Sequence, residues 1–183
     1  MTVRGLTMRC HSVGMLGKGH NNCNKHNGTA VPVEVERFAS NHYLFPTMLT
    51  HIVLPIIPDA TSEFDSALAT ALASGSRVFV LFTGAAVGEG GASWCKDCED
   101  CKPMLKAMFA EAGSIRETTL IEVPLAREGY KGNAANWARV HASVKLTAVP
   151  TIMRWGKVKK LAELVDLECK DAGRVRELVV DDE

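Results

Sequence analysis

The 183-residue sequence has no surplus of either charge: Lys and Arg together number 21, and Asp and Glu number 21. A chain-wide role on nucleic acid or anionic lipid needs clustered surplus cations, so this balance argues against both. No apolar run reaches the roughly 18 residues that a membrane-spanning helix requires. Cysteine is sparse, six in all, far below the density of a disulfide-stapled mini-protein. What is present, 46% hydrophobic and 23% charged residues, is the mix of one ordinary soluble domain with an extension.

The extension is defined by a second absence. No acid occurs before Glu34, while Arg4, Arg9, Lys18 and Lys25 supply positive charge. Glycines and the asparagines at 21, 22, 24 and 27 interrupt any helical or alternating pattern. Such a segment cannot bury enough apolar surface to offset its ordering, so residues 1–47 are expected to be disordered. A basic, acid-free start also fits an organellar transit peptide, and translation from Met48 is a further alternative. Cys10, His11, His20, Cys23 and His26 are zinc-ligand types, but their spacing matches no zinc module. Residues 48–183 are expected to form the domain.

Within that domain the pattern alternates between strand and helix. His51–Leu54 is a short apolar run closed by Pro55, an expected edge strand. Residues 59–74 carry Phe64, Ala67, Leu68, Ala71 and Leu72 at helical spacing, with Thr61 or Ser62 to cap the start and Gly75 the end. Arg77–Thr83 is almost wholly apolar, as in a strand buried on both faces. A glycine-rich loop over 84–93 precedes a helix expected over 95–112, with Gly113 as its stop and Pro103 inside it. Thr118–Val123 is the next strand and 133–144 the next helix. Thr151–Trp155 and Val158–Glu163 form a hairpin about Gly156, and a helix over 170–180 closes the chain. The first crossovers require parallel pairing and the last pair requires a hairpin. The expected fold class is therefore α/β, with a central mixed sheet flanked by helices on both faces.

The chemistry lies in Trp94-Cys95-Lys96-Asp97-Cys98. Two cysteines separated by two residues, after a strand and at the start of a helix, suit dithiol–disulfide exchange. The attacking species is a thiolate, and the unpaired N–H groups and dipole of a helix N-terminus stabilise negative charge. Cys95, at the very start, is the expected nucleophile. Cys98, one turn deeper, is expected to resolve the mixed disulfide. Lys96 adds a positive charge that favours the thiolate; Asp97 opposes it but offers a carboxylate for proton transfer. A metal reading competes, since Cys95, Cys98 and Cys101 begin like an iron–sulfur run. That run needs a fourth cysteine where Leu105 stands, and only Cys169 and His141 remain as distant zinc ligands. Cys101, about 240° around the helix from Cys95, reads as a small core residue.

Further motifs carry a family resemblance. Phe82-Thr83-Gly84, a glycine-containing insertion, Ser93-Trp94-Cys95-x-Asp97-Cys98, Pro103, Leu146-Thr147-Ala148-Val149-Pro150-Thr151 and Glu168-Cys169 resemble the thioredoxin domain-containing protein 17 family, across residues 50–180. The resemblance implies a thioredoxin fold and a cytoplasmic protein-disulfide reductase. No bound cofactor is implied; electrons come from NADPH through a thioredoxin reductase or an equivalent donor. The implied partners are that donor and disulfide-containing proteins or small disulfides, with no nucleic acid and no membrane, and the expected state is a monomer. Some peroxidase activity is also implied, and a mitochondrial or other organellar location follows if residues 1–47 are a transit peptide. By position Cys95 and Cys98 are the redox-active pair, Val149-Pro150 the cis-proline segment facing it, and Trp94 an apolar shield over it.

Two departures bear on mechanism. Lys96 stands where the family carries proline, which admits a different potential and acidic substrates. Thioredoxins place a buried acid where this chain has Leu81, so proton handling is expected to fall to Asp97, Glu99, water or no group at all. The loop over 84–93 is expected to border the site and restrict bulky substrates. The alternatives to an enzyme are a redox-sensing or binding module without turnover and a metal-binding protein.

Overall fold

The computed structural model describes Val35–Glu36, residues 48–88 and residues 90–181. The expectations for residues 1–47, including the zinc-ligand types from Cys10 to His26, lie outside the described residues, apart from the two-residue strand β1 (Val35–Glu36). The remaining strands are β2 (Leu49–Val53), β3 (Arg77–Gly84), β4 (Thr118–Leu125), β5 (Thr151–Trp155) and β6 (Lys160–Val165). The helices are α1 (Thr61–Ser74), α2 (Lys96–Ile115), the single turns α3 (Arg127–Tyr130) and α4 (Trp137–Val140), a 3-10 turn (Asp166–Lys170) and α5 (Ala172–Val179). Among the described residues the sheet order is β1-β2-β4-β3-β5-β6. β2, β4 and β3 run parallel; β3–β5 and β5–β6 are antiparallel, as the crossovers and the hairpin require.

Strand alternation sorts the core into two layers. Val78, Val80, Phe82, Ile121, Val123 and Met153 face α1, whose Phe64, Leu68 and Ala71 are buried. Phe79, Leu81, Leu120 and Ile152 face the other way, onto Leu105 and Phe109 of α2 and Val175 and Val179 of α5. The period of two in the strands thus places helices on both faces of the sheet.

Four local expectations are corrected. Neither Thr61 nor Ser62 caps α1: Ala60 occupies the cap position, and Asp59 Oδ1 accepts from Thr61 N (3.0 Å) and Thr61 Oγ1 (2.6 Å). Helix α2 does not stop at Gly113 but runs to Ile115. A Cβ at 113 would lie 2.6 Å from Leu49 Cβ, so that glycine serves the close approach of α2 to β2. The helix expected over 133–144 is only the turn α4. Asn133 and Asn136 donate to the Gly129 carbonyl (3.1 and 3.0 Å), and Asn136 Oδ1 accepts from Ala138 N (3.0 Å). Asparagine side chains that bond the backbone compete with helix, and here they start it late. The chain then turns at Lys145 (φ 51°), so that Val144 and Leu146 become buried. Last, the closing helix begins at Ala172, behind the 3-10 turn, because Asp171 Oδ1 accepts from Gly173 N (2.9 Å) and Arg174 N (3.2 Å) as its cap.

Candidate active site

Cys95 is the N-cap of α2, where backbone N–H groups lack helical partners. The Cys98 N–H donates to Cys95 Sγ at 3.2 Å. Cys95 and Cys98 form a disulfide, with Cα atoms 5.3 Å apart. Both residues are buried, and the Gly84 N–H donates to Cys98 Sγ at 3.4 Å. Each sulfur therefore faces a backbone donor, an arrangement that favours negative charge on sulfur once the pair is reduced.

The opposite wall is the segment before β5. The Val149–Pro150 peptide is cis, and the Val149 carbonyl oxygen lies 3.6 Å from Cys95 Sγ. The glycine-rich loop is folded rather than free. Val87 N–H donates to Ala92 O (2.9 Å), Ala86 bridges Ser93, and Trp94 N–H donates to Ala85 O (3.1 Å). Ser93 ties loop to helix: its hydroxyl donates to Gly84 O (2.7 Å) and accepts from Cys95 N (3.1 Å), while its N–H donates to Glu99 Oε1 (2.9 Å). Trp94 is half-buried; its indole N–H donates to Leu125 O (2.7 Å) and its ring lies 6.2 Å from that of Tyr130. The Arg139 guanidinium stands 4.1 Å from the Tyr130 ring centre on that ring's face.

Gly84 is where this packing is tightest. A Cβ there would lie 2.6 Å from both Cys95 Cβ and Ser93 Oγ and 3.0 Å from Trp94 Cε2. Gly84→Ala is expected to destabilise the domain by about 1–3 kcal/mol through overpacking. It should also alter the rate at which Cys95 is alkylated. Thermal denaturation and iodoacetamide kinetics on the same samples check both effects.

The charged residues of the motif point elsewhere than their spacing suggests. Lys96, 85% exposed, donates to Asp100 Oδ1 (2.8 Å) one turn on, and it holds the Asp100 carboxyl below the usual carboxylate range. Asp97 pairs with Lys170 of the 3-10 turn, and Lys170 also reaches Asp100 Oδ2 (3.4 Å). The bond to Asp97 raises the lysine above its ordinary value. These contacts link the first turn of α2 to the Glu168-Cys169 motif. Glu168 Oε2 accepts from Val165 N (3.0 Å), and the Cys169 thiol donates to Leu164 O (3.2 Å). Burial pushes Cys169 up to about 12 and also raises Cys101, whose thiol donates to Cys98 O (3.4 Å). Both stay protonated at neutral pH and do not compete with Cys95 as nucleophiles. Spacing did not single out Ser93, Leu125, Lys170 or the pair His51–Glu122, which joins β2 to β4 through Nε2 and Oε2 at 2.9 Å.

A mixed sheet with helices on both faces, a Cys-x-x-Cys pair at a helix start and a cis-proline across from it define a thioredoxin-like domain. The chain belongs to the thioredoxin domain-containing protein 17-like family, whose thioredoxin domain matches residues 59–180. Thioredoxin domain-containing protein 17 of Danio rerio is 33% identical over 109 residues, 59% of this chain and 81% of that protein. The Homo sapiens protein of the same name is 30% identical over 109 residues, 60% of this chain and 82% of that protein. A Leishmania braziliensis protein named acireductone dioxygenase is 33% identical over 102 residues, 54% of this chain. The chain spans only 30% of that protein's length. Among solved structures, oxidised thioredoxin O2 from Arabidopsis thaliana is 22% identical, covering 70% of this chain and 90% of that one with a TM-score of 0.46.

Proposed function

We propose that this protein is a protein-disulfide reductase that cycles Cys95 and Cys98 between dithiol and disulfide. Cys95 attacks a substrate disulfide as the thiolate, one substrate half leaves, and Cys98 displaces the other half by closing the Cys95–Cys98 bond. The observation that carries this reading is the placement of Cys95 at the N-cap of α2, with the Cys98 N–H directed at its sulfur, opposite Val149 and cis-Pro150. The Val149 backbone ahead of cis-Pro150, beside Cys95 Sγ, offers a place for an incoming substrate strand. Reduced pairs are regenerated by a thioredoxin reductase drawing on NADPH. Weak peroxidase activity would use the same thiolate. A metal-binding role has less support: among the described residues no three His, Cys, Asp or Glu side chains gather where they could hold an ion.

The test is reduction of insulin or a small disulfide by the full chain, read as NADPH consumption in the presence of a thioredoxin reductase. Turnover is expected, and Cys98→Ser should convert it into trapped mixed disulfides with substrate. A wild-type pair that is opened by a dithiol and closes again on oxidation, yet turns over no substrate disulfide, would be a redox sensor instead.

A further inference from the structure

Beneath α2 lies a cavity of about 490 Å³ between that helix and the face of β2, β4 and β3. Its wall is mostly apolar, with Leu81, Leu105 and Leu120 among the lining residues, and Cys98 opens into it from the first turn of α2. A carboxylate sits on the same wall. Glu122 stands opposite Leu81 in the register of β3 and β4, on the face turned to α2, between the inward-facing Ile121 and Val123 of the other layer. Its Oε2 is 2.9 Å from His51 Nε2, and the two side chains are only 26% and 20% exposed. A half-buried carboxylate on an apolar sheet face costs stability that an aliphatic residue there would not, so its presence asks for a chemical reason.

We propose that Glu122, oriented by His51, exchanges the proton of Cys98 during resolution of the mixed disulfide. This inference rests on the dithiol reading above. In the mixed disulfide Cys98 is a buried thiol and must lose its proton before it can attack. The Glu122 carboxylate takes that proton across the cavity through a bridging water, for which the volume leaves room and Glu122 and His51 supply polar partners. Cys98 sulfur then attacks Cys95 Sγ: the Cys95–Cys98 bond forms, the Cys95–substrate bond breaks, and the substrate leaves as a thiolate that solvent protonates. The protein's two sulfurs have then lost two electrons and the substrate disulfide has gained them. When a dithiol donor reduces the pair again, Glu122 returns the proton to Cys98. The carboxylates nearer in sequence are committed elsewhere, Asp97 to Lys170 and Glu99 to the Ser93 N–H with Lys102 Nζ 3.8 Å away. The other ionisable groups around the cavity are Lys102, Lys106 and Cys101 on α2.

One equivalent of an aromatic disulfide that liberates a coloured thiolate separates the steps. Attack by Cys95 releases the first thiolate, and resolution by Cys98 releases the second. In Glu122→Gln the second release should slow about tenfold or more at neutral pH and its rate profile move to higher pH, while the first changes by less than about twofold. Circular dichroism establishes folding; if Glu122→Gln does not fold, His51→Gln carries the test, with the same shift of profile and a smaller slowing. A second release with unaltered rate and pH profile in the folded variants overturns the proton-transfer role and leaves the dithiol reading intact. Absence of the first release in the wild type overturns the dithiol reading itself.

Discussion

Cys95→Ser is expected to reduce disulfide turnover to the uncatalysed background while leaving the fold intact. The two halves of this expectation have separate physical origins. A serine hydroxyl remains protonated at any physiological pH, so no nucleophile is left at the helix start, and Cys98 lies one turn inside α2 rather than at the cap where unpaired N–H groups favour a thiolate. Serine is also among the best N-cap residues, and its oxygen can accept the Cys98 N–H that Cys95 Sγ now accepts. The cross-link itself closes only a three-residue separation, where the chain-entropy gain is small. Thermal unfolding of the reduced wild type and reduced Cys95→Ser should therefore coincide. Turnover that persists in the variant would move the reactive centre away from this pair. Mass spectrometry after alkylation makes the complementary measurement: the reduced native wild type should be modified at Cys95, and Cys101 and Cys169 should react only on unfolding, since burial raises both thiols.

The site was legible where it is contiguous. Five consecutive residues, Trp94 to Cys98, lie at the junction of an apolar strand and a helix, and that junction alone sets the nucleophile at a cap. The strands β3 and β4 were legible for a similar reason, since runs such as Arg77–Thr83 admit little but a buried strand. What sequence patterns left out are contacts between distant parts of the chain. Lys170 and Asp97 are 73 residues apart, His51 and Glu122 are 71 apart, and no local periodicity reports on either pair. A faint signal existed for the second. Glu122 is the one charge in Thr118–Leu125, and His51 is the one ionisable residue in Leu49–Val53, so each interrupts a strand that is otherwise without charge. The helix expected over 133–144 is cut short by asparagine chemistry: Trp137, Val140 and Val144 have helical spacing, but Asn133 and Asn136 spend their side chains on backbone groups and leave one turn.

Phe64→Ala is expected to produce the largest loss of stability of any single aromatic truncation on the α1 face. Phe64 is fully buried on the inner stripe of α1, and four rings surround it: His141 at 5.4 Å, Trp137 at 5.7 Å, Phe82 at 5.9 Å and Trp155 at 6.2 Å between centroids. These neighbours come from β3, β5 and the α4 turn, so one side chain joins the helix to two central strands and to the segment that leads back to cis-Pro150. Removing the ring leaves a cavity that rigid aromatic walls cannot close, and the expected cost is about 3–5 kcal/mol. Against the 5–15 kcal/mol typical of a domain this is about a fifth or more of the total. Chemical denaturation should show a lower midpoint with an unchanged slope, because the surface exposed on unfolding is nearly the same. Phe64→Leu separates the causes: it restores most of the lost volume without the ring, and a penalty of about 1.5 kcal/mol or less assigns the difference to the cavity rather than to edge-to-face ring contacts. If alanine and leucine cost the same, the ring contacts and not the volume hold α1 to the sheet; if neither costs more than about 1 kcal/mol, α1 is held from elsewhere and the layer built on Phe64 is not the core of this face.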